Sequence, residues 1–427
     1  MYEILGIDTN PKLGFYRVGD KMFHSKPQAF MYATEIDAWP EWKFNTEVYA
    51  KTDWDHEPEI DIRELYRLRA QQLRDRYDYI RLECSGGGDS TTAAFAFLLN
   101  GIHLDEVVFR YPKTGEKDAS GDPFNTKADN TLSEYDFAAK PLLNWIKTNY
   151  PNTLVRIHDF SENMLDTQDQ RDESWVFETR DWFQPAHGDK YNQFGVKEHK
   201  ELAESGKSIC VLTGMEKPRM CIINGEYYCY FSDYQANSAH PILGDYKNIT
   251  NEYFYWTPDF PEITIKQTHM IRRWFEMPKN AHLKHLLFWP NNSVSQRTAY
   301  EQIVKSIIYP DYDQETWQTA KPTNSFYNEM DTWFYQNFKE TRLYDIWQAG
   351  LKFLVDSIDP KYFVYELGQP VGLKLMFSPF YYIGDSASAT RPEWYTPAFI
   401  NRDYKNDAKT QGSVMVIRNK KLKKINF

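Results

Sequence analysis

The residues YDYIRLEC (77–84), SGGGDST (85–91), TAAFAFLLNGIHL (92–104) and DEVVFRY (105–111) run on without a break. The first stretch alternates large apolar with polar residues and reads as a strand. The second is too rich in glycine for either regular element. Asp89 to Leu99 then reads as a helix, and 105–111 as a second strand. Three glycines between a strand and a helix let the backbone approach an anion closely, and the first amides of the helix point at it. Ser85, Gly86, Gly87, Gly88, Ser90 and Thr91 are therefore candidate phosphate-binding residues, through amides and hydroxyls. Asp89 fits there as the ligand of a magnesium ion shared with the phosphates, or as a cap of the helix.

Reading outward, Pro112 to Asn130 is a polar loop, Leu132 to Lys147 a helix and TLVRIHDF (153–160) a third strand. SICVLT (208–213) is a fourth. Strands separated by helices of this length predict a parallel sheet. A P-loop reading fails at Gly206-Lys207-Ser208, because the position five before Gly206 is Glu201 and the triplet precedes a strand. No G-x-G-x-x-G occurs, which argues against a dinucleotide fold.

SGGGDST after a strand resembles the SGG-x-DS signature of the PP-loop ATP pyrophosphatases (adenine nucleotide alpha hydrolase-like superfamily). The resemblance covers about Tyr77 to Arg219, a third of the chain. It implies an α/β fold whose parallel sheet is of the PP-loop (HUP-like) type, with ATP and Mg2+ as cofactors. It also implies that Ser85 to Ser90 hold the ATP phosphates, with Asp89 near the metal. Adenine in that family lies near the end of the second strand, here Phe109-Arg110-Tyr111. The segment VLTGMEKPRM (211–220) follows the fourth strand and fits the same picture. Thr213 and Gly214 are expected to face the nucleotide, and Glu216 to be a second metal ligand. Lys217 and Arg219 are expected to neutralise charge on departing pyrophosphate.

The flanks are less specific. Residues 1–75 form a hairpin–helix appendage: a hairpin over 14–24 hinged at Gly19-Asp20, a helix over 26–35 and a helix over 60–76. The PP-loop domain is assigned to 76–260, with a second hairpin turning at Asn224-Gly225. Residues 261–427 read as a mostly helical, aromatic-rich region covering the site, with a helix over 262–275 and anchors at Trp317, Phe326, Trp333, Phe334 and Trp347. GLKLMF (372–377) and SVMVIR (413–418) return to a strand pattern.

The chain has 427 residues and a net charge of −10, so no whole-protein attraction to nucleic acid is expected. Basic residues gather only at the end: Arg402, Lys405, Lys409, Arg418, Lys420, Lys421, Lys423 and Lys424. With 30 Tyr, 27 Phe and 13 Trp, wide aromatic packing surfaces are expected. Cys84, Cys210, Cys221 and Cys229 form no C-x-x-C or zinc spacing and read as reduced, buried thiols. There is no signal peptide or membrane span by pattern, so a cytoplasmic protein is expected. Lys266, His269, Arg272 and Arg273 on one helix, and the pair His282 and His285, read as solvated or structural.

Within the resemblance, sulfur transfer is disfavoured by the missing paired cysteines, and an internal glutaminase by Tyr2 after Met1. What remains is a ligase or amidation reaction: adenylation of a substrate carboxylate or carbonyl, followed by attack of an amine or ammonia. The partner is then ATP with a small molecule or a nucleic-acid base, with no membrane, and with a homo-oligomer allowed. Two other readings stay open: a nucleic-acid base-modifying enzyme using the same adenylation, and a non-catalytic ATP-binding module of a larger complex. FYRVGDKMFHS (15–25), RELYRLRAQQLRDRYDY (63–79) and FYWTPDFPEITIKQ (254–267) are also similar to PP-loop proteins of tailed bacteriophages related to asparagine synthase and deazaguanine-synthesis enzymes. That implies a host cytoplasm as the setting.

Overall fold

A computed structural model describes residues 4–5, 10–111, 135–159, 164–172, 197–233, 247–289, 294–313, 338–366, 368–387 and 413–426. The expected loop at 112–130, the anchors Trp317, Phe326, Trp333 and Phe334, and the basic residues 402–409 lie outside them.

The first section holds β1 (Ile4–Leu5), β2 (Phe15–Val18), β3 (Lys21–Phe23), α1 (Lys26–Glu35), β4 (Glu41–Lys43), α2 (Thr46–Tyr49) and α3 (Ile62–Arg76). Its four strands form one sheet in the order β1-β3-β2-β4. The hairpin turns at Gly19, whose φ of 59° suits the missing side chain. Ser25 caps α1 by accepting from the Gln28 amide, and Asp61 caps α3 through the Arg63 amide.

The central section follows: β5 (Tyr79–Glu83), α4 (Gly88–Leu98), β6 (Glu106–Tyr111), a π-helical turn at Tyr135–Ala139, α5 (Lys140–Asn149), β7 (Leu154–Asp159), α6 (Lys197–Glu204), β8 (Ile209–Thr213), β9 (Arg219–Ile223), β10 (Glu226–Tyr230) and β11 (Ile249–Tyr253). Five of these strands make an all-parallel sheet in the order β11-β8-β5-β6-β7. The parallel α/β expectation therefore holds, and β11 adds a fifth strand that the sequence pattern did not show. ITNEY is nearly devoid of apolar alternation. Its Glu252 is buried only because Arg69, Arg76 and the Tyr77 hydroxyl, all from α3 and its end, supply partners at 3.1, 3.1 and 2.7 Å.

The two faces of this sheet differ. Ile80, Leu82, Val107, Phe109, Cys210 and Leu212 point into the main core, beside α3 and α4. The opposite face carries buried charge: Glu83 forms an ion pair with Arg81 at 2.7 Å and accepts from Arg110 at 2.9 Å, and Glu106 pairs with Arg156 at 2.7 Å. Buried ions need such partners, since an unpaired one would carry the full desolvation cost.

The last section contains α7 (Glu262–Glu276), a 3-10 helix at Ala281–Leu286, α8 (Val294–Ile308), α9 (Arg342–Ser357), β12 (Phe363–Glu366), β13 (Gln369–Leu373), β14 (Phe380–Asp385), β15 (Ser413–Arg418) and β16 (Lys421–Asn426). It was expected to be mostly helical, yet among the described residues it also supplies five strands. Three of them join the Asn224-Gly225 hairpin in a mixed sheet, β16-β15-β14-β10-β9. One continuous aromatic-rich core runs from Tyr16 and Phe30 through Tyr255 and Trp256 to Trp347 and Tyr381, crossing all three sections. The large rings are thus core volume, as composition suggested.

Candidate active site

In the parallel sheet the strand order reverses beside β5: β6 and β7 lie on one side, β8 and β11 on the other. Chains leaving adjacent strands at such a reversal diverge, and the crevice between them at the carboxyl edge is where open α/β sheets bind ligands. Glu83 pairs in register with Thr213, so the loop after β5 (84–87) and the loop after β8 (214–218) start side by side. These are the two segments singled out from sequence.

The first loop is braced from within. Ser90 Oγ donates to the Gly87 carbonyl at 3.2 Å and accepts from the Ser85 amide at 3.2 Å, while Ser85 Oγ accepts from the Gly87 amide at 3.4 Å. Gly87 is the N-cap of α4 and offers no side-chain acceptor to the first-turn amides. Such an N-terminus is suited to an external anion. Thr91 is wholly buried. Its hydroxyl thus lies inside the fold, and its amide bonds the Gly87 carbonyl at 3.0 Å. Gly86 is required for another reason. Its φ is +74°, and a Cβ there would sit 2.5 Å from the backbone of Ala138 and Ala139. The π-helical turn before α5 therefore presses directly on the loop.

The two loops touch at Gly214. A Cβ on it would lie 2.9 Å from the Asp89 carbonyl and from Ser90 Cα. This close approach brings the charged side chains together. Lys217 Nζ donates to Asp89 Oδ2 at 2.6 Å and lies 2.7 Å from Glu216 Oε1. Two carboxylates thus share one ammonium that is only 6% exposed. Burial alone would pull Lys217 down, but Asp89, Glu216 and Glu301 hold it above the ordinary lysine value. Arg219 pairs with Glu301 at 3.0 Å and is likewise held charged despite its burial. Arg110 lies at the end of β6, as expected, but its visible partner is Glu83; burial lowers it to about 10, so it stays cationic at neutral pH.

The remaining walls come from residues that the sequence reading did not select. Helix α8 covers both loops: Tyr300 donates to the Pro218 carbonyl at 2.6 Å, Glu301 takes Arg219, and Tyr309 just beyond the helix donates to Asp89 Oδ1. Tyr255, after β11, donates to the Asp89 carbonyl at 2.9 Å. A Cβ on Gly88 would lie 3.2 Å from the Tyr309 ring and 3.4 Å from Tyr312. Burial pushes the Tyr312 hydroxyl up to about 12, helped by nearby Asp89. The only legible signal for these rings was the general excess of tyrosine. Their 166- and 220-residue separations from Asp89 leave no local trace.

Other sequence candidates are spent on structure. Lys266 bonds the Pro58 carbonyl and Glu57, His269 the Trp54 carbonyl, Arg272 the Asp385 carbonyl, and Arg273 Glu57. His282 and His285 lie on the 3-10 helix, where a ring nitrogen of His285 meets the His282 carbonyl. All four cysteines are buried and unpaired with one another. Among the described residues the one close trio of metal-ligating type is Asp53, Asp55 and His56, which is fully on the surface, and no helix is long and apolar enough to cross a membrane.

Neither a scan against models of known protein families nor a search of curated proteins finds a match to this chain.

Proposed function

We propose that the chain is an ATP pyrophosphatase that adenylates a substrate carboxylate or carbonyl and releases pyrophosphate, for attack by an amine or ammonia. The observation that carries this reading is the meeting of the SGGGDS loop with the Glu216–Lys217–Arg219 loop at the reversal point of a parallel sheet. The uncapped first turn of α4 offers amides to phosphate oxygens. Two buried cations, Lys217 on the neighbouring loop and Arg219 at the start of β9, stand where charge would build on a leaving pyrophosphate.

The donor set also fits a magnesium ion. Asp89 and Glu216 place carboxylate oxygens on a common Lys217 ammonium, and a hard cation with phosphates takes one or two carboxylates. Bound there, magnesium would supply neutralisation of the phosphate charge. In the proposed step a substrate oxygen forms a bond to the α-phosphorus as the bond from that phosphorus to the bridging oxygen breaks, and pyrophosphate leaves with the electron pair. The protein's part is to fix the phosphates through the loop amides and to oppose the developing charge through Lys217 and Arg219.

The test is release of pyrophosphate and AMP from labelled ATP with magnesium, by wild type and Asp89→Ala, with pooled metabolites or nucleic acids added separately. The expected result is turnover with one pool only, lost by at least ~100-fold in the variant. Tight ATP binding without turnover in any pool would mark a nucleotide-binding module instead, and absence of ATP binding would end the reading.

A further inference from the structure

We propose that Tyr309, contributed by the C-terminal third of the chain, is the positioning residue that orients the Asp89 carboxylate toward a phosphate-bound divalent cation. This rests on the ATP pyrophosphatase reading and names a part of the site that lies outside both loops. The Tyr309 hydroxyl donates to Asp89 Oδ1, while Lys217 donates to Oδ2. A carboxylate offers about four acceptor sites. One donor on each oxygen therefore fixes the plane of the group and leaves acceptor sites for a cation. Tyr255 holds the backbone of the same residue by donating to the Asp89 carbonyl, so rotation is opposed at both ends of the side chain.

Tyr309 is itself held in place. Tyr66 donates to the Ile308 carbonyl at 2.7 Å and receives a bond from Gln267 at 2.9 Å, and Arg63 pairs with Asp311 at 3.0 Å. Its ring lies against Tyr255 with centroids 5.7 Å apart. It also covers Gly88, where a side chain would meet it at 3.2 Å. A ligand held in advance by a supporting shell binds a cation without first being ordered.

Tyr309→Phe keeps the ring and deletes only the hydroxyl. Calorimetry on the full chain would measure ATP affinity with and without magnesium, and Mn2+ paramagnetic resonance would measure metal binding in the presence of ATP. Thermal melts would accompany both to confirm a folded variant. The expected result is a roughly tenfold smaller gain in ATP affinity from magnesium and weaker Mn2+ binding, with metal-free ATP affinity within about twofold of wild type. An unchanged magnesium gain overturns the role of Tyr309 and leaves the functional reading standing. Equal loss with and without metal also overturns it, because that is the signature of a merely structural contact. Wild type that binds no ATP overturns both.

Discussion

Replacing Lys217 by methionine removes the ammonium shared by Asp89 and Glu216, and the size of the effect follows from the geometry. The ammonium lies 2.6 and 2.7 Å from the two carboxylates, whose side chains are 22% and 17% exposed. At an effective dielectric near 20, each such pair has roughly 6 kcal/mol of Coulomb attraction, and the two carboxylates, held on one ammonium, repel by at least roughly 3 kcal/mol. Desolvation of the ammonium offsets much of the attraction. The net cost of Lys217→Met is therefore about 3 kcal/mol, at the low end for breaking a buried pair because the acids keep some water. Asp89→Asn alone leaves Lys217 paired with Glu216 and costs about 1 kcal/mol. The double variant no longer holds two facing charges, so its cost falls short of the two singles together by about 2 kcal/mol. Urea unfolding of the four proteins measures this coupling directly. Additivity within about 0.5 kcal/mol, or a Lys217→Met protein as stable as wild type, would refute the arrangement described.

Three further expectations concern two loop glycines and one buried histidine. Gly214→Ala pushes its Cβ into the Asp89 and Ser90 backbone and should weaken ATP binding at least tenfold by calorimetry, whereas Gly86→Ala combines a positive φ with a backbone collision and should lower stability by about 3 kcal/mol in denaturant melts. His269 is buried with its Nε2 on the Trp54 carbonyl, and burial pulls it below the ordinary value of 6.5. Its contribution is present above the unfolded pKa and lost as pH falls through the folded one. Wild type should therefore lose on the order of 1 kcal/mol between pH 7 and 5, and His269→Gln should lose less.

Much of this molecule is written locally. The strand–loop–helix–strand run of 77–111 is legible because alternation, a glycine triplet and helical periodicity are properties of neighbouring residues. So is the hairpin at Asn224-Gly225, whose φ values of 49° and 84° are those its residue types favour. Its destination is not legible: the pattern could not show that β10 would pair with β14, some 150 residues later. The sequence marked Gly86 only as one of three glycines that let the backbone approach an anion. Only the structure shows that the Ala138–Ala139 backbone also leaves it no room for a side chain.

What the sequence determined by itself, then, is four of the five strands of the parallel sheet, the helices between them, and the two loops rich in small and charged residues. Tertiary structure alone decided the strand order that sets those loops side by side, the polar strand β11, and the covering of Asp89 and Arg219 by Tyr255, Tyr309 and Glu301. The physical reason is range. Backbone propensity and amphipathic period act over a few residues. A hydrogen bond between groups 220 positions apart exists only after packing has closed that distance, and nothing in either local sequence is altered by it.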